Sequence, residues 1–179
     1  MYKVGKVIDP DVLEELTLDY TSNPDIWNID QSQVDSGGKR GGSYNDSRTS
    51  KNFFTNHLIH PEFCEQLEDF AADGSKVNQI DILLYEKGDK FTIHRDVVEN
   101  DYKRRHWSTT TILALSDDFV GEGLALYETN KIEDVPSVTC KVPRQEVGDT
   151  IIFRSDVYHE ARPVVQGTRL VAVAWLGFE

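Results

Sequence analysis

In the stretch FTIHRDVVEN, Phe91 to Asn100, an imidazole and a carboxylate stand two residues apart, at His94 and Asp96. On a strand, side chains alternate between faces, so residues i and i+2 project together. A neutral imidazole beside a carboxylate fills two positions of a divalent metal, or else makes a plain His–Asp hydrogen bond at a strand end. The letters His94-Arg95-Asp96, with Asn100 after them, also spell part of a protein-kinase catalytic loop. That reading fails. The kinase loop sets four residues between its Asp and Asn, and here only Val97, Val98 and Glu99 intervene. A Gly-rich phosphate loop, a Val-Ala-Ile-Lys strand and an Asp-Phe-Gly are missing from the sequence as well.

A metal needs a third ligand, and the segment from Val147 to Phe178 offers His159, after an apolar strand and a short turn. Glu160 beside it reads as solvated or structural. His106 is an alternative ligand, while His57 and His60 flank a helix start without metal-like spacing. Ten residues after His159 comes Arg169, which opens RLVAVAWL. Arg169, Val171, Val173 and Trp175 share one face of that strand, and Leu170, Ala172, Ala174 and Leu176 share the other. Both faces are apolar, so the strand is expected to be buried on both sides. An unpaired arginine there costs several kcal/mol. Its partner is either a protein carboxylate or the carboxylate of a ligand, gripped by the two-pronged guanidinium. Trp175 reads either as a pocket wall or as ordinary core.

These residues need a frame. Asp9-Pro10 reads as a helix start, with Asp9 as cap and Pro10 in the first turn. Val12, Leu13, Leu16 and Tyr20 follow at helical spacing. His60-Pro61 opens a second helix to about Ala72, with Phe63, Leu67 and Phe70 on one side. From Asn78 onward the pattern turns to short strands: 80–86, 91–96, 109–116, 124–129, 149–153 and 169–176. Helices first and strands afterwards give an α+β, mainly β chain, with an antiparallel sandwich or barrel as its core. SGGKRGGSYNDS, Ser36 to Ser47, reads as a flexible loop or lid and lacks the Walker spacing.

A chain of 179 residues fits one domain. A net charge of −12 argues against nucleic acid as a partner. The two cysteines, Cys64 and Cys140, make neither a disulfide framework nor a zinc cluster and read as reduced thiols. No signal-like or membrane-spanning apolar run is present, so the expected location is the cytoplasm.

His94-x-Asp96, a distal His159 and Arg169 ten residues later resemble the iron(II)- and 2-oxoglutarate-dependent dioxygenases, their prolyl-4-hydroxylase-like branch above all. The likeness runs from about Ile80 to Phe178. Tyr85, in LLYEKGDKFTIHRD, is similar to the Tyr of the family's Tyr-x-x-Gly segment. HEARPVVQGTRLVAVAW resembles the closing block, with Pro163, Val164, Gly167, Arg169 and Trp175 in place. Arg48-Thr49-Ser50 resembles the segment before the supporting helix. Where the family has Gly-Gly-x-Leu, this chain reads Gly121-Glu122-Gly123-Leu124. Where some relatives carry a Tyr, TTTILALS has none, so a second contact to the cosubstrate carboxylate is sought at Thr109 or Thr111.

The resemblance implies a double-stranded β-helix, a jelly-roll or cupin-like barrel, as a single domain over 1–179. Its helical support would cover about 1–77 and its barrel about 78–179. It implies Fe(II) held by His94, Asp96 and His159. It implies 2-oxoglutarate with its far carboxylate on Arg169 and near Tyr85, dioxygen as the other cosubstrate, and ascorbate as a reductant. The implied reaction releases succinate and CO2 while hydroxylating prolyl or other residues of a protein or peptide. The alternative within the family is a free amino acid or other small molecule. Arg104 and Arg105, in NDYKRRHWSTT, read either as a charged turn or, with Trp175, as part of a substrate pocket. Two readings of other classes stand beside these: a non-catalytic β-barrel binding module, and a metal-dependent hydrolase with no use for Arg169.

Overall fold

Every residue of the strand Arg169–Gly177 is buried, as its two apolar faces require. The computed structural model, which describes residues 2–22, 28–29, 50–55, 60–97, 106–143 and 145–178, shows how. Two helices, α1 (Pro10–Thr21) and α2 (Pro61–Ala71), precede most of the sheet. The strands are β1 (Lys3–Lys6), β2 (Asn28–Ile29), β3 (Lys51–Thr55), β4 (Lys76–Tyr85), β5 (Phe91–His94) and β6 (Trp107–Ala114). They continue with β7 (Leu124–Tyr127), β8 (Cys140–Lys141), β9 (Asp149–Arg154), β10 (Tyr158–Ala161) and β11 (Arg169–Gly177). A seven-stranded sheet has the order β1-β9-β6-β11-β4-β3-β2, and a four-stranded sheet has the order β5-β10-β7-β8. All named pairings are antiparallel. β11 sits at the centre of the larger sheet, between β4 and β6. This is the double-stranded β-helix expected from the sequence.

The alternation of β11 divides two cores. Leu170, Ala172, Ala174 and Leu176 pack outward with Leu16, Phe63 and Leu67 of the helices. Val171, Val173 and Trp175 pack inward with Leu83, Ile112 and Phe153. The helices therefore brace the back of the larger sheet, and its front faces the barrel interior. On the smaller sheet's outer side, Ala125, Tyr127 and Tyr158 pack with Val135 of a 3-10 turn, Ile132–Ser137.

Six strands expected from the sequence are present. The first part of the chain does more than supply helices, since β1 pairs with β9 and β3 with β4. Asp9 stands at the N-cap of α1, just before Pro10, but makes no side-chain cap. Its carboxylate instead accepts from Gln66 Nε2 at 2.9 Å, and its backbone N–H donates to Gln66 Oε1 at 2.9 Å, which ties α1 to α2. Cys64 and Cys140 are not joined in a disulfide. Burial, with Glu68 and Glu65 adding to it, pushes the Cys64 thiol up to about 11, which leaves it inert at neutral pH. The glycine loop 36–47 and Arg48-Thr49 lie outside the described residues. No described helix is long and apolar enough to cross a membrane.

Phe63 is the largest fully buried side chain of the brace. Its replacement by alanine is expected to destabilise the chain by about 3–5 kcal/mol, read from the midpoint of urea unfolding. A loss below about 1 kcal/mol would mean that α2 does not hold the sheet.

Candidate active site

His94 ends β5 and His159 lies on β10, and the two are direct cross-strand partners. Their ring centroids are 4.2 Å apart. His159 follows the apolar strand β9 and a short turn, as read from the sequence, and it sits on a short strand of its own, whose polar letters gave no strand signal. Asp96 lies beyond the end of β5, so strand alternation does not deliver it to the same place as His94. A backbone contact does: Asp96 N–H donates to the Ser155 carbonyl at 2.9 Å, in the turn between β9 and β10.

The three groups converge without bonding to one another. Asp96 Oδ1 is 3.7 Å from His94 Nε2, and Asp96 Oδ2 is 3.6 Å from His159 Nε2. Both separations are too long for hydrogen bonds, so the plain His–Asp bond is excluded. One ligand atom from each residue lies within 4.8 Å of the others, and all three residues are buried. His94 Nδ1 is 2.7 Å from the Thr92 carbonyl, and His159 Nδ1 is 2.9 Å from the Val157 carbonyl. A carbonyl only accepts, so each Nδ1 carries the proton and each Nε2 turns a lone pair toward Asp96. Phe91 stacks on the His94 ring at 3.7 Å, and the Phe153 ring meets His159 edge-on at 4.9 Å. Two lone pairs and a carboxylate meeting in a buried space repel one another unless a cation joins them. The donor set therefore fits a divalent metal with nitrogen and oxygen preference.

Asp96 is prepared for that role. Burial alone would raise its carboxyl, but His159 and His94 when protonated in the metal-free protein, the Thr110 hydroxyl and the Trp175 indole outweigh it and hold the group below its ordinary value. Thr110 Oγ1 donates to Asp96 Oδ2 at 2.6 Å and lies 2.9 Å from Ser155 Oγ. Thr110 has one proton, so Ser155 donates to Thr110 in turn. The Trp175 indole N–H, near enough to favour the ionised carboxylate, is buried without an acceptor at hydrogen-bond geometry among the described residues.

The sequence singled out Thr109 and Thr111, for a contact to the cosubstrate carboxylate, and not Thr110, which holds Asp96. Those two pair with Leu176 and Ala174, on the outward face of β11, while Thr110 pairs with Trp175. Neither reaches the pocket. A bulge at Ser108 explains a further surprise. Leu176 pairs with Thr109 but Gly177 with Trp107, so one residue of β6 is skipped. Trp107 is thereby turned inward, where it stacks on Trp175 at 4.8 Å. Trp175 is thus a pocket wall. His106 is exposed and outside the metal-binding cluster. Arg104 and Arg105 lie outside the described residues.

Arg169 lines the same pocket as His94, Asp96 and His159. It is 3% exposed, and among the described residues it pairs with no carboxylate. Its Nη2 donates to the Gln145 amide oxygen at 3.3 Å, and its Cζ lies 5.3 Å from the Tyr85 ring centre and 6.0 Å from that of Phe119. Burial draws the guanidinium below its ordinary value, with Tyr85 opposing. Tyr85 is its cross-strand partner on β4. Gln145 and Phe119 carried no sequence signal, because both come from loops. Glu160 points to the outer face, where it accepts from Tyr127 Oη at 2.6 Å and Arg162 Nε at 3.0 Å. It is structural, as read from the sequence.

The family model described as "2OG-Fe(II) oxygenase superfamily" matches residues 80–177. No curated protein sequence matches the chain. Among solved structures, a Pseudomonas putida prolyl-4-hydroxylase aligns at TM-score 0.70 and 13% identity, covering 99% of this chain and 92% of that one. A Trichoplax adhaerens prolyl hydroxylase, solved with a peptide of the hypoxia inducible factor oxygen degradation domain, aligns at TM-score 0.70 and 14% identity, covering 98% and 83%. The alpha-ketoglutarate-dependent epimerase SnoN of nogalamycin biosynthesis aligns at TM-score 0.69 and 15% identity, covering 98% and 76%. At these identities the structures establish a shared fold. The family match spans more than half the sequence, so the chain belongs to the 2OG-Fe(II) oxygenase superfamily, with iron(II) and 2-oxoglutarate as its cofactors.

Proposed function

We propose that the protein is a hydroxylase that converts R–H, O2 and 2-oxoglutarate into R–OH, succinate and CO2, with residues of a protein or peptide, prolyl foremost, as R–H. The observation that carries the cosubstrate reading is Arg169, a buried cation without a carboxylate partner among the described residues, in one pocket with His94, Asp96 and His159. A hydrolase has no need of such a cation, and a dicarboxylate supplies what it lacks. The fold shared with two prolyl hydroxylases supports the peptide reading. A second reading, oxidation of a small molecule, is supported by the nearly equal likeness to SnoN.

Iron(II), when bound, supplies the site at which dioxygen is activated beside 2-oxoglutarate. His94 and His159 hold it through Nε2, their rings fixed by the Thr92 and Val157 carbonyls. Asp96 holds it through a carboxylate that the Thr110 hydroxyl orients. Arg169 pairs with the far carboxylate of the cosubstrate, and Tyr85 flanks it. Arg169 and Trp175 stand at opposite ends of the inner face of β11, and both line the pocket that holds His94, Asp96 and His159. Leu83, Ile112, Val171 and Val173 line the space between and exclude water.

The purified protein, loaded anaerobically with Fe(II) and 2-oxoglutarate and then given oxygen, is expected to release succinate even without R–H. His159→Ala should abolish the release. If the folded wild type forms no succinate and binds no 2-oxoglutarate, the enzyme reading is wrong and a binding module takes its place.

Arg169→Leu should weaken 2-oxoglutarate binding about 10- to 100-fold, the worth of a charge-assisted hydrogen bond, while metal affinity stays near wild type. Titration calorimetry separates the two affinities, and an equal loss in both would contradict the anchor role.

Thr110→Val should lower Fe(II) affinity about 10- to 100-fold, as expected of a group that orients a metal ligand. Thr110→Ser should restore most of it. Equal affinities in all three proteins would show that the hydroxyl does not hold Asp96.

A further inference from the structure

We infer that Gln145 sets the length of the 2-oxo acid this chain accepts, by closing the pocket at its Arg169 end. The inference rests on the reading of Arg169 as the cosubstrate anchor.

Arg169 stands between two spaces. On one side is the pocket it shares with the His-Asp-His cluster. On the other is a cavity of about 340 Å³, whose lining includes Phe119, Gly123, Leu124, Pro143 and Gln145. Leu124 lines both. Arg169 belongs to the first and Gln145 to the second, and the 3.3 Å bond between them spans the partition.

The amide of Gln145 is held from both ends. Its Oε1 accepts from Arg169, and its Nε2 donates to the Ile112 carbonyl at 3.3 Å. The reverse orientation would set an N–H against the guanidinium and a carbonyl against a carbonyl, so this one is fixed. The bridge therefore ties the guanidinium to the backbone of β6.

The charge of the residue matters as much as its place. Asp117, Glu122 and Glu146 all line the outer cavity, yet the residue that touches Arg169 is a neutral amide. It supplies an acceptor without neutralising the cation, so the full charge stays available to an anion from the other side. The opposite part of the partition is backbone. Gly123 has φ +71, and a Cβ there would stand 3.6 Å from Arg169 Nε. The loop thus lies against the guanidinium as glycine, while Gln145 is a side chain that a substitution can remove.

2-Oxoadipate is one methylene longer than 2-oxoglutarate. With its keto acid end at the metal, its far carboxylate would have to pass the guanidinium into the space that Gln145 fills. One methylene in a closed pocket is worth about 10- to 200-fold in discrimination.

The full chain is loaded with Mn(II) under anaerobic conditions, so that no turnover occurs, and titrated calorimetrically with each acid. Aerobic release of succinate and of glutarate from the iron-loaded protein is measured in parallel. Wild type is expected to prefer 2-oxoglutarate at least about tenfold. Gln145→Ala should narrow that preference about tenfold by improving binding of the longer acid. Gln145→Glu, of the same size, should pair with Arg169 and weaken both acids about tenfold or more, with no fall in melting temperature. An unchanged preference in Gln145→Ala together with wild-type affinity in Gln145→Glu would overturn the inference while leaving the enzyme reading intact. Failure of wild type to bind either acid, with Mn(II) bound, would remove the anchor reading and this inference together.

Discussion

Arg169 is a permanent cation on a strand buried on both faces, and Asp96 is a buried carboxylate in the same pocket. Placed side by side they would pair and neutralise each other. The fold keeps them apart. Thr110, which holds Asp96, pairs with Trp175, six residues along β11 from Arg169. Two opposite charges held at separate levels of one apolar space are unfavourable until each finds a complement from outside. A divalent cation complements Asp96 and its two imidazoles, and a dianionic acid complements Arg169. On the proposed reading, the pocket is thereby matched to a metal and a dicarboxylate taken together.

Keeping such charges apart requires a rigid frame. β11 is central in the larger sheet, with β4 and β6 on its flanks and the helices behind it. Its outward residues Ala172 and Ala174 are small, which lets the brace approach closely. The two histidines are set by a different device, direct cross-strand pairing of β5 and β10 in the smaller sheet. Asp96 belongs to neither sheet, and the turn at Ser155 together with Thr110 brings it to them. The site thus joins the two sheets through hydrogen bonds as well as through packing. Glu160, next to His159 in sequence, is turned by strand alternation to the outer face, where Tyr127 and Arg162 occupy it.

The Arg169 end has a different construction. Its aromatic neighbour Tyr85 is a strand residue fixed by register, but Phe119 and Gln145 arrive on loops. Loop residues can change without disturbing the barrel, which is where selectivity among cosubstrates is most easily tuned. The metal end, by contrast, depends on residues whose displacement would disturb sheet pairing.

The sequence by itself determined the residue types and the strands that carry them. His94, Asp96, His159 and Arg169 were legible because a metal and a buried cation demand particular side chains. β11 was legible because alternation with both faces apolar has one physical meaning. Tyr85 followed from a resemblance, and its contact with Arg169 from register. Tertiary structure alone decided the rest. β10 is short and polar, and it is a strand only because β5 and β7 pair with it. Thr110, not its neighbours, faces Asp96 because the register with β11 fixes which side is inward. Trp107 faces inward because of a bulge that no alternation rule foresees. Gln145 touches Arg169 across 24 residues of chain, and Thr110 touches Ser155 across 45. Local sequence carries period and residue chemistry. Register, bulges and loop closure are settled by pairings between distant segments, and those exist only once the barrel has closed.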